Sequence, residues 1–265
     1  MTALAKGRFL RIGGMVILLA ALLAGLMLAA GGPGYRLGLW DYGFALISLT
    51  RAAFLTAAGA GSLALLALLF LLATKRMSLM RPFLLALILS GATLGIVQVF
   101  RSHAGSIVPI HDVTTDLEDP PVFVVIPPRE YNPLIVPDRG RADLAQLMPR
   151  DRWRVWHREA YGDIVPIETG RDKAAAFEAA LAAARRMGWE IVDADAERGT
   201  IEATATTFWY GFKDDVAIRV REEPSGGSRI DIRSVSRVGI SDLGANAARI
   251  RAWRDHLLQE LGAAG

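Results

Sequence analysis

Three uncharged stretches near the N-terminus constrain this 265-residue chain more than any other feature: Ile12 to Ala30, Leu55 to Ala73 and Pro82 to Phe100, of 19 residues each. Each meets the roughly 20 apolar residues that a helix needs to cross about 30 Å of hydrocarbon. A helix half-buried in a soluble core would carry a polar stripe, and these carry none. The pattern predicts a three-helix membrane anchor over residues 1–100. The first stretch, headed by Lys6, Arg8 and Arg11, also has the outline of a signal peptide. Its apolar run is longer than an ordinary h-region and Leu28-Ala29-Ala30 is a poor cleavage site, so it is read as retained. Arg51 is placed where it can snorkel to the interface from a helix that starts near Phe44. Gly91/Gly95 and Ala57/Gly61 are small-xxx-small pairs, read as packing positions among the three helices.

The charges divide the chain into two unlike parts. Residues 1–100 hold eight basic residues and one acid, Asp41, for a net +7, whereas residues 101–265 hold 22 basic and 26 acidic residues, for a net −4. The basic residues of the first part flank the apolar runs, with Lys6, Arg8 and Arg11 before the first and Lys75, Arg76 and Arg81 between the second and third. These two groups fall on one side of a three-span topology, and Arg36 and Arg101 on the other. Loop charge sets orientation, which predicts a cytoplasmic N-terminus and an extracytoplasmic C-terminal domain, and the chain is expected in the cell inner membrane with that domain in the periplasm. The expected partners are the lipid bilayer and an envelope protein or a small anionic or amphipathic ligand. Nucleic acid is not expected, because the positive excess is not on the folded domain. The absence of cysteine excludes disulfides, thiolate nucleophiles and Cys-based metal sites.

Eight of the twelve prolines lie between Pro109 and Pro149. Pro120-Pro121 and Pro127-Pro128 bracket Val122 to Ile126, which reads as a short edge strand or an extended arm. Residues 101–150 are therefore expected to be a Pro-rich arm lying over a folded body, with a short helix within Gly140 to Met148. The α+β core is expected over residues 151–265. Arg152 to Ala160 reads as a short helix and Asp163 to Glu168 as a strand. Thr169 looks like the N-cap of a helix that carries Phe177, Leu181, Ala184 and Met187 on one face and ends at Gly188. Strands follow at Trp189 to Asp195, Thr200 to Phe208, around Val216 to Val220, and Arg229 to Ser236. In Thr200 to Phe208 the alternation assigns Glu202, Thr204 and Thr206 to a wet face. Ser241 or Asp242 caps a last helix bearing Ile250, Trp253, Leu257 and Leu261. The order β-α-β-β-β-β-α predicts an α+β fold, an antiparallel sheet packed with two long helices.

The chemistry is sparse. No metalloprotease helix motif, P-loop or dinucleotide fingerprint occurs, and no motif calls for a cofactor. Asp214 and Asp215 are adjacent on a strand and point to opposite faces, so they do not form a dyad. The balance is against an enzyme. His111, Asp112 and Asp116 offer imidazole and oxygen ligands for a metal-assisted hydrolase or transferase; the alternative is that this segment only makes side-chain–backbone turns. Phe208, Trp209, Tyr210 and Phe212 line an apolar pocket, rest on lipid headgroups, or pack a hairpin tip. Arg233, Ser236, Arg237, Asp242, Asn246 and Arg249 form the polar candidate. Arg233 and Arg237 share a strand face about 13 Å apart, and Asp242, Asn246 and Arg249 follow at a helix start. Such a set suits a phosphate or carboxylate, or a polar network tying strand to helix. A structural subunit of a membrane complex is a further reading of the whole chain.

Gly188-Trp189, Glu202-Ala203-Thr204, Phe212-Lys213-Asp214-Asp215, Arg233 to Arg237 and Asp242 to Ile250 together resemble the domain-of-unknown-function 1499 family. His111 to Thr115 and Asp116 resemble its start in members with a membrane anchor. The resemblance covers about residues 108–260 and implies that the arm and the later strands are one domain. It implies no activity.

Overall fold

The computed structural model describes residues 3–127, 136–224 and 226–263, with the side chains of residues 3–6 and 263 set aside. Pro128 and Pro133 of the expected arm, and Ser225 of the last hairpin turn, lie outside the described residues. The chain forms two compact units, residues 1–105 with 208–211, and residues 106–207 with 212–265.

The first unit is built on three long helices, α1 (Ala3–Arg36), α2 (Leu49–Ala73) and α3 (Arg81–Ser106), with a π-helical turn at Phe44–Ser48 leading into α2. Spans Gly7–Arg36, Phe44–Ala73 and Arg81–Ser106 are long and apolar enough to cross a membrane. Their shared core buries the small residues Ala21, Ala60, Ala64 and Ala86 together with Leu68, Leu71 and Phe83. Ala57 is fully buried, and a Cβ at Gly61 would sit 3.1 Å from Ser90 Cβ on α3. That pair therefore sets a close helix contact. Gly91 and Gly95 do not: a Cβ at either would meet no other atom within 4 Å. The pattern was correct in kind, but it does not say which face of α3 turns inward.

The second unit is a six-stranded antiparallel sheet with strands in the order β1-β6-β5-β4-β3, and β2 also paired to β6. The strands are β1 (Asp112–Thr114), β2 (Ile167–Thr169), β3 (Glu190–Asp195), β4 (Thr200–Thr206), β5 (Lys213–Glu222) and β6 (Ser228–Ser236). The helices are α4 (Ala142–Ala145), α5 (Pro149–Tyr161), α6 (Lys173–Arg186) and α7 (Ala245–Ala263). From β2 onward the order is β-α-β-β-β-β-α, as the alternation of patterns predicts, and the fold is α+β.

One sheet face carries Ile201, Ala203, Val216, Ile218, Val220, Ile230 and Ile232, all buried against Phe177, Leu181, Ile250, Trp253 and Leu257 of α6 and α7. Burying a Leu, Ile or Phe side chain is worth about 1.5–3 kcal/mol, so this layer supplies most of the domain's stability.

Several boundaries differ from expectation. Asp163 to Glu168 is not all strand, because Pro166 has no N–H to donate and Asp163 pairs with Arg251. Thr169 is not the cap of α6. It ends β2, paired with Ser228, and the N-cap is Asp172, whose carboxylate accepts from Ala175 N at 2.8 Å. Strand β4 stops at Thr206, where the chain turns, and Gly188 closes α6 with φ +70°.

The largest difference concerns the sheet's other face. Glu202 and Thr204, expected to be wet, are 1% and 3% exposed. The arm holds Glu202 through the N–H groups of residues 124–126, and Thr204 meets Asp215 and Arg237. Val122 to Ile126, read as an edge strand or extended arm, joins no ladder and bends at 124–126, which lets three successive N–H groups turn to one side; the arm's strand is β1, paired to β6. Helix α5 grips the arm from outside. Trp153 Nε1 donates to Asp112 O at 2.8 Å, Trp156 Nε1 donates to Pro137 O at 3.0 Å, and Arg152 donates to the carbonyls of Val136, Leu144 and Leu147.

Candidate functional site

Strand parity decides how the polar candidates are arranged. Arg233 lies on the arm-covered face of β6 and Arg237, just past its end, turns to the same side, whereas Ser234 and Ser236 lie on the helix-covered face with Ile230 and Ile232. The sequence candidates thus form two networks on opposite sides of the sheet.

On the helix side, Asn246 is the hub. It is fully buried at the start of α7, where Asp242 accepts from Gly244 N and Asn246 N at 2.8 and 2.9 Å. Asn246 Nδ2 donates to His111 O and to Ser236 Oγ at 2.9 and 3.0 Å, and its Oδ1 accepts from Ser234 Oγ at 2.7 Å. Arg249 donates to Ser234 Oγ and Asn246 Oδ1 and forms an ion pair with Asp214. Burial pushes the Asp242 carboxyl up, and the Gly244 and Asn246 N–H groups hold it partly down. These contacts tie β5, β6 and the residue before β1 to the start of α7.

On the arm side, Arg233 makes a two-pronged pair with Asp112 at 3.0 and 2.7 Å, and also donates to Pro121 O. Arg237 makes the same fork on Asp215, with Thr204 Oγ1 as a further acceptor. The Arg233 guanidinium stays charged because Asp112 offsets its desolvation, and that of Arg237 is held by its hydrogen bonds to Asp215. A two-pronged Arg–carboxylate pair is among the strong hydrogen-bonded arrangements, so an anionic ligand at Arg233 must compete with Asp112.

The metal candidates are not gathered. Asp112 is taken by Arg233. The Asp116 carboxylate accepts from Glu118 N and Asp119 N and pairs with Arg229 at 2.7 Å, while His111 Nδ1 lies 3.2 Å from Ile240 O. Among the described residues no three His, Cys, Asp or Glu side chains are placed to hold a metal ion. The aromatic candidates divide as well. Phe208, Trp209 and Tyr210 belong to the first unit, and Phe212, whose N–H donates to Thr207 Oγ1, belongs to the second.

Sequence reasoning missed two arrangements on the arm side. One is a cluster in which Arg219, Arg221 and Arg229 surround Asp231, which is fully buried, with Asp116 and Asp119 of the arm closing the ring. The other is Glu202, whose carboxylate accepts from the consecutive N–H groups of Val124, Val125 and Ile126. Period-two parity already put Glu202, Arg219, Arg229 and Asp231 on one face. The signal available was that a Pro-rich acidic arm had nowhere else to lie. Beside the exposed Glu118 and Asp119, the described part of the arm also turns apolar side chains outward, Val122, Val124 and Val125.

His157 was also missed. It is 1% exposed, stacked edge-on between Trp153 and Tyr161, and its Nε2 accepts from Thr114 N at 3.1 Å. Burial pulls its pKa down to about 4, against a partial offset from Asp112. An unfolded chain takes up the proton near pH 6.5, so the unfolded state binds more protons between these values. The stability owed to neutral His157 is complete above about pH 6.5, falls as pH drops, and is fully lost below about pH 4. The loss is at most about 3 kcal/mol. Denaturation of the full-length protein followed by tryptophan fluorescence is expected to show this fall. His157→Gln should remove that part of the pH dependence, since an amide oxygen still accepts from Thr114 N.

A family model described as a protein of unknown function (DUF1499) matches residues 112–257, more than half of the chain, and the chain belongs to that family. The match begins at β1, so the arm is inside the family's domain. No curated protein matches the chain in a sequence search.

Proposed function

We propose that this member of the DUF1499 family is a multi-pass inner-membrane protein that presents a non-catalytic binding module on the periplasmic side, with its N-terminus in the cytoplasm. The orientation is supported by loop charge. Lys6, Arg8 and Arg11, and then Lys75, Arg76 and Arg81, mark one side of the spans, and Arg36 the other.

The binding reading rests chiefly on one observation. The ionised side chains that the sequence singles out are consumed in holding the domain together, while the arm turns Val122, Val124 and Val125 outward, 66%, 56% and 50% exposed. Arg233, Arg237 and Arg249 each face an aspartate, and His157 serves as an acceptor for backbone. No carboxylate or imidazole among them is left poised as a nucleophile or base. The partner is therefore an envelope protein or an amphipathic ligand that meets an apolar ridge, rather than a bare anion.

A photoreactive residue at position 124 in the full-length protein tests this in whole cells. A discrete adduct is expected, and it should disappear when Val122 and Val125 are changed to Asp. If position 124 yields the same adducts as Glu178, exposed on the back of α6, the ridge is not a binding surface.

A further inference from the structure

Within the first unit, the C-terminal end of α1 is shaped to receive the loop Phe208–Gly211. A Cβ at Gly32 would lie 2.4 Å from Trp209 Cδ1 and 2.6 Å from Trp209 O, and one at Gly31 would lie 3.1 Å from the Tyr210 hydroxyl. Gly211, at φ +71°, brings the loop against the Arg36 side chain, where a Cβ would come 2.8 Å from Arg36 Cγ. Arg36 donates to Phe208 O. The run Gly31-Gly32-Pro33-Gly34 thus lets an aromatic loop lie on helix backbone that any larger side chain would push away.

The result is a cleft of about 360 Å³ lined by Pro33, Arg36, Leu37, Phe208 and Trp209. Phe208 is 87% exposed, Leu37 74% and Trp209 48%. A phenylalanine exposed to that degree beside a half-exposed tryptophan is costly in water. These side chains continue the apolar surface of α1, where Leu19 and Leu26 are also exposed, and they sit where the Gly7–Arg36 span ends. Aromatic side chains at that level are at home in the membrane–water boundary. The charge points the same way. Arg36 makes no ion pair among the described residues, whereas Arg233, Arg237 and Arg249 each have an aspartate.

We propose that this cleft is a phospholipid-headgroup site. The Arg36 guanidinium takes the phosphodiester anion, whose geometry it matches, and Phe208, Trp209 and Leu37 lie in the boundary between headgroup and acyl chain. An anionic headgroup is favoured over a zwitterionic one, because no ammonium then competes with Arg36 for the phosphate. This reading does not depend on which side of the membrane the domain occupies.

The test uses the full-length protein reconstituted in mixed vesicles of phosphatidylglycerol and phosphatidylcholine. Trp209 is expected to be quenched by lipid brominated near the acyl carbonyl, and the quenched component should vanish in Trp209→Phe. After extraction into mild detergent, native mass spectrometry should find phosphatidylglycerol retained in preference to phosphatidylcholine. Arg36→Gln should lower that retention roughly tenfold, the loss expected for one charge-assisted hydrogen-bonded contact. If Arg36→Gln does not reconstitute, Phe208→Asp carries the test, since that side chain is exposed and the new charge opposes the headgroup. Quenching equal in wild type and Trp209→Phe would overturn the proposal. So would retention unchanged in the Arg36→Gln or Phe208→Asp variant, which would leave only an unspecific aromatic belt.

Discussion

Asp231→Ala is expected to destabilise the domain by about 3–5 kcal/mol, the usual cost of removing one partner from a buried ionic cluster. Asp231 is fully buried and receives Arg219 at 3.1 Å, Arg221 at 3.0 Å and Arg229 at 3.3 Å. Without it, three guanidiniums face one another on adjacent strands, and only Asp116 and Asp119 of the arm remain to offset them. Arg221 is 40% exposed, so water screens part of the repulsion and the loss falls toward the lower end of that range. Natural domains have only about 5–15 kcal/mol in hand, so the midpoint of chemical denaturation should move far. The double variant Asp231→Ala with Arg219→Ala should recover part of the loss, because it removes a charge that the first change strands. A single variant as stable as the wild type would mean that the cluster is surface decoration.

Glu202→Ala is expected to cost about 3–4 kcal/mol and to release the arm. The Glu202 carboxylate is 1% exposed and satisfies three successive backbone N–H groups, at Val124, Val125 and Ile126. Removing it leaves donors under the arm with no acceptor, and each unsatisfied donor costs about 1–3 kcal/mol. Glu202→Gln keeps the shape but offers an amide NH₂ where an acceptor is required, so it should lose most of the same free energy. Amide hydrogen exchange reads the local effect. Residues 124–126 should lose protection in Glu202→Ala, while the β5–β6 ladder keeps it. Equal protection across both segments would show that the arm is held by its apolar contacts alone.

These two sites also mark the limit of what the sequence reveals. The apolar runs, the β-α-β-β-β-β-α order and the inward residues of β4 and β5 were legible, because each follows from a local period of 3.6 or 2. Glu202 was misread as solvated because a period of two identifies two faces without saying what covers the second. Its cover comes from a segment 78 positions upstream. Thr169 was misread as a cap because a capping pattern competes with strand pairing, and the partner strand, β6, lies far along the chain. The candidate cluster was half legible. Ser236, Asn246 and Arg249 meet in one network, but Ser236 and Arg237 are successive residues whose side chains take opposite faces, so the proposed single site divides into two networks. Partner choice for each arginine depends on tertiary placement, which composition alone cannot supply.

We propose that three spans hold the domain outside the cytoplasm. The chain has no cysteine, so single introduced cysteines report orientation without background. Ser78→Cys lies in the exposed link between α2 and α3, and Ala196→Cys in the exposed turn between β3 and β4. With a membrane-impermeant maleimide on intact spheroplasts, Ala196→Cys should label at once and Ser78→Cys only after the membrane is disrupted. Labelling of Ser78→Cys with protection of Ala196→Cys would place the domain in the cytoplasm and contradict the account.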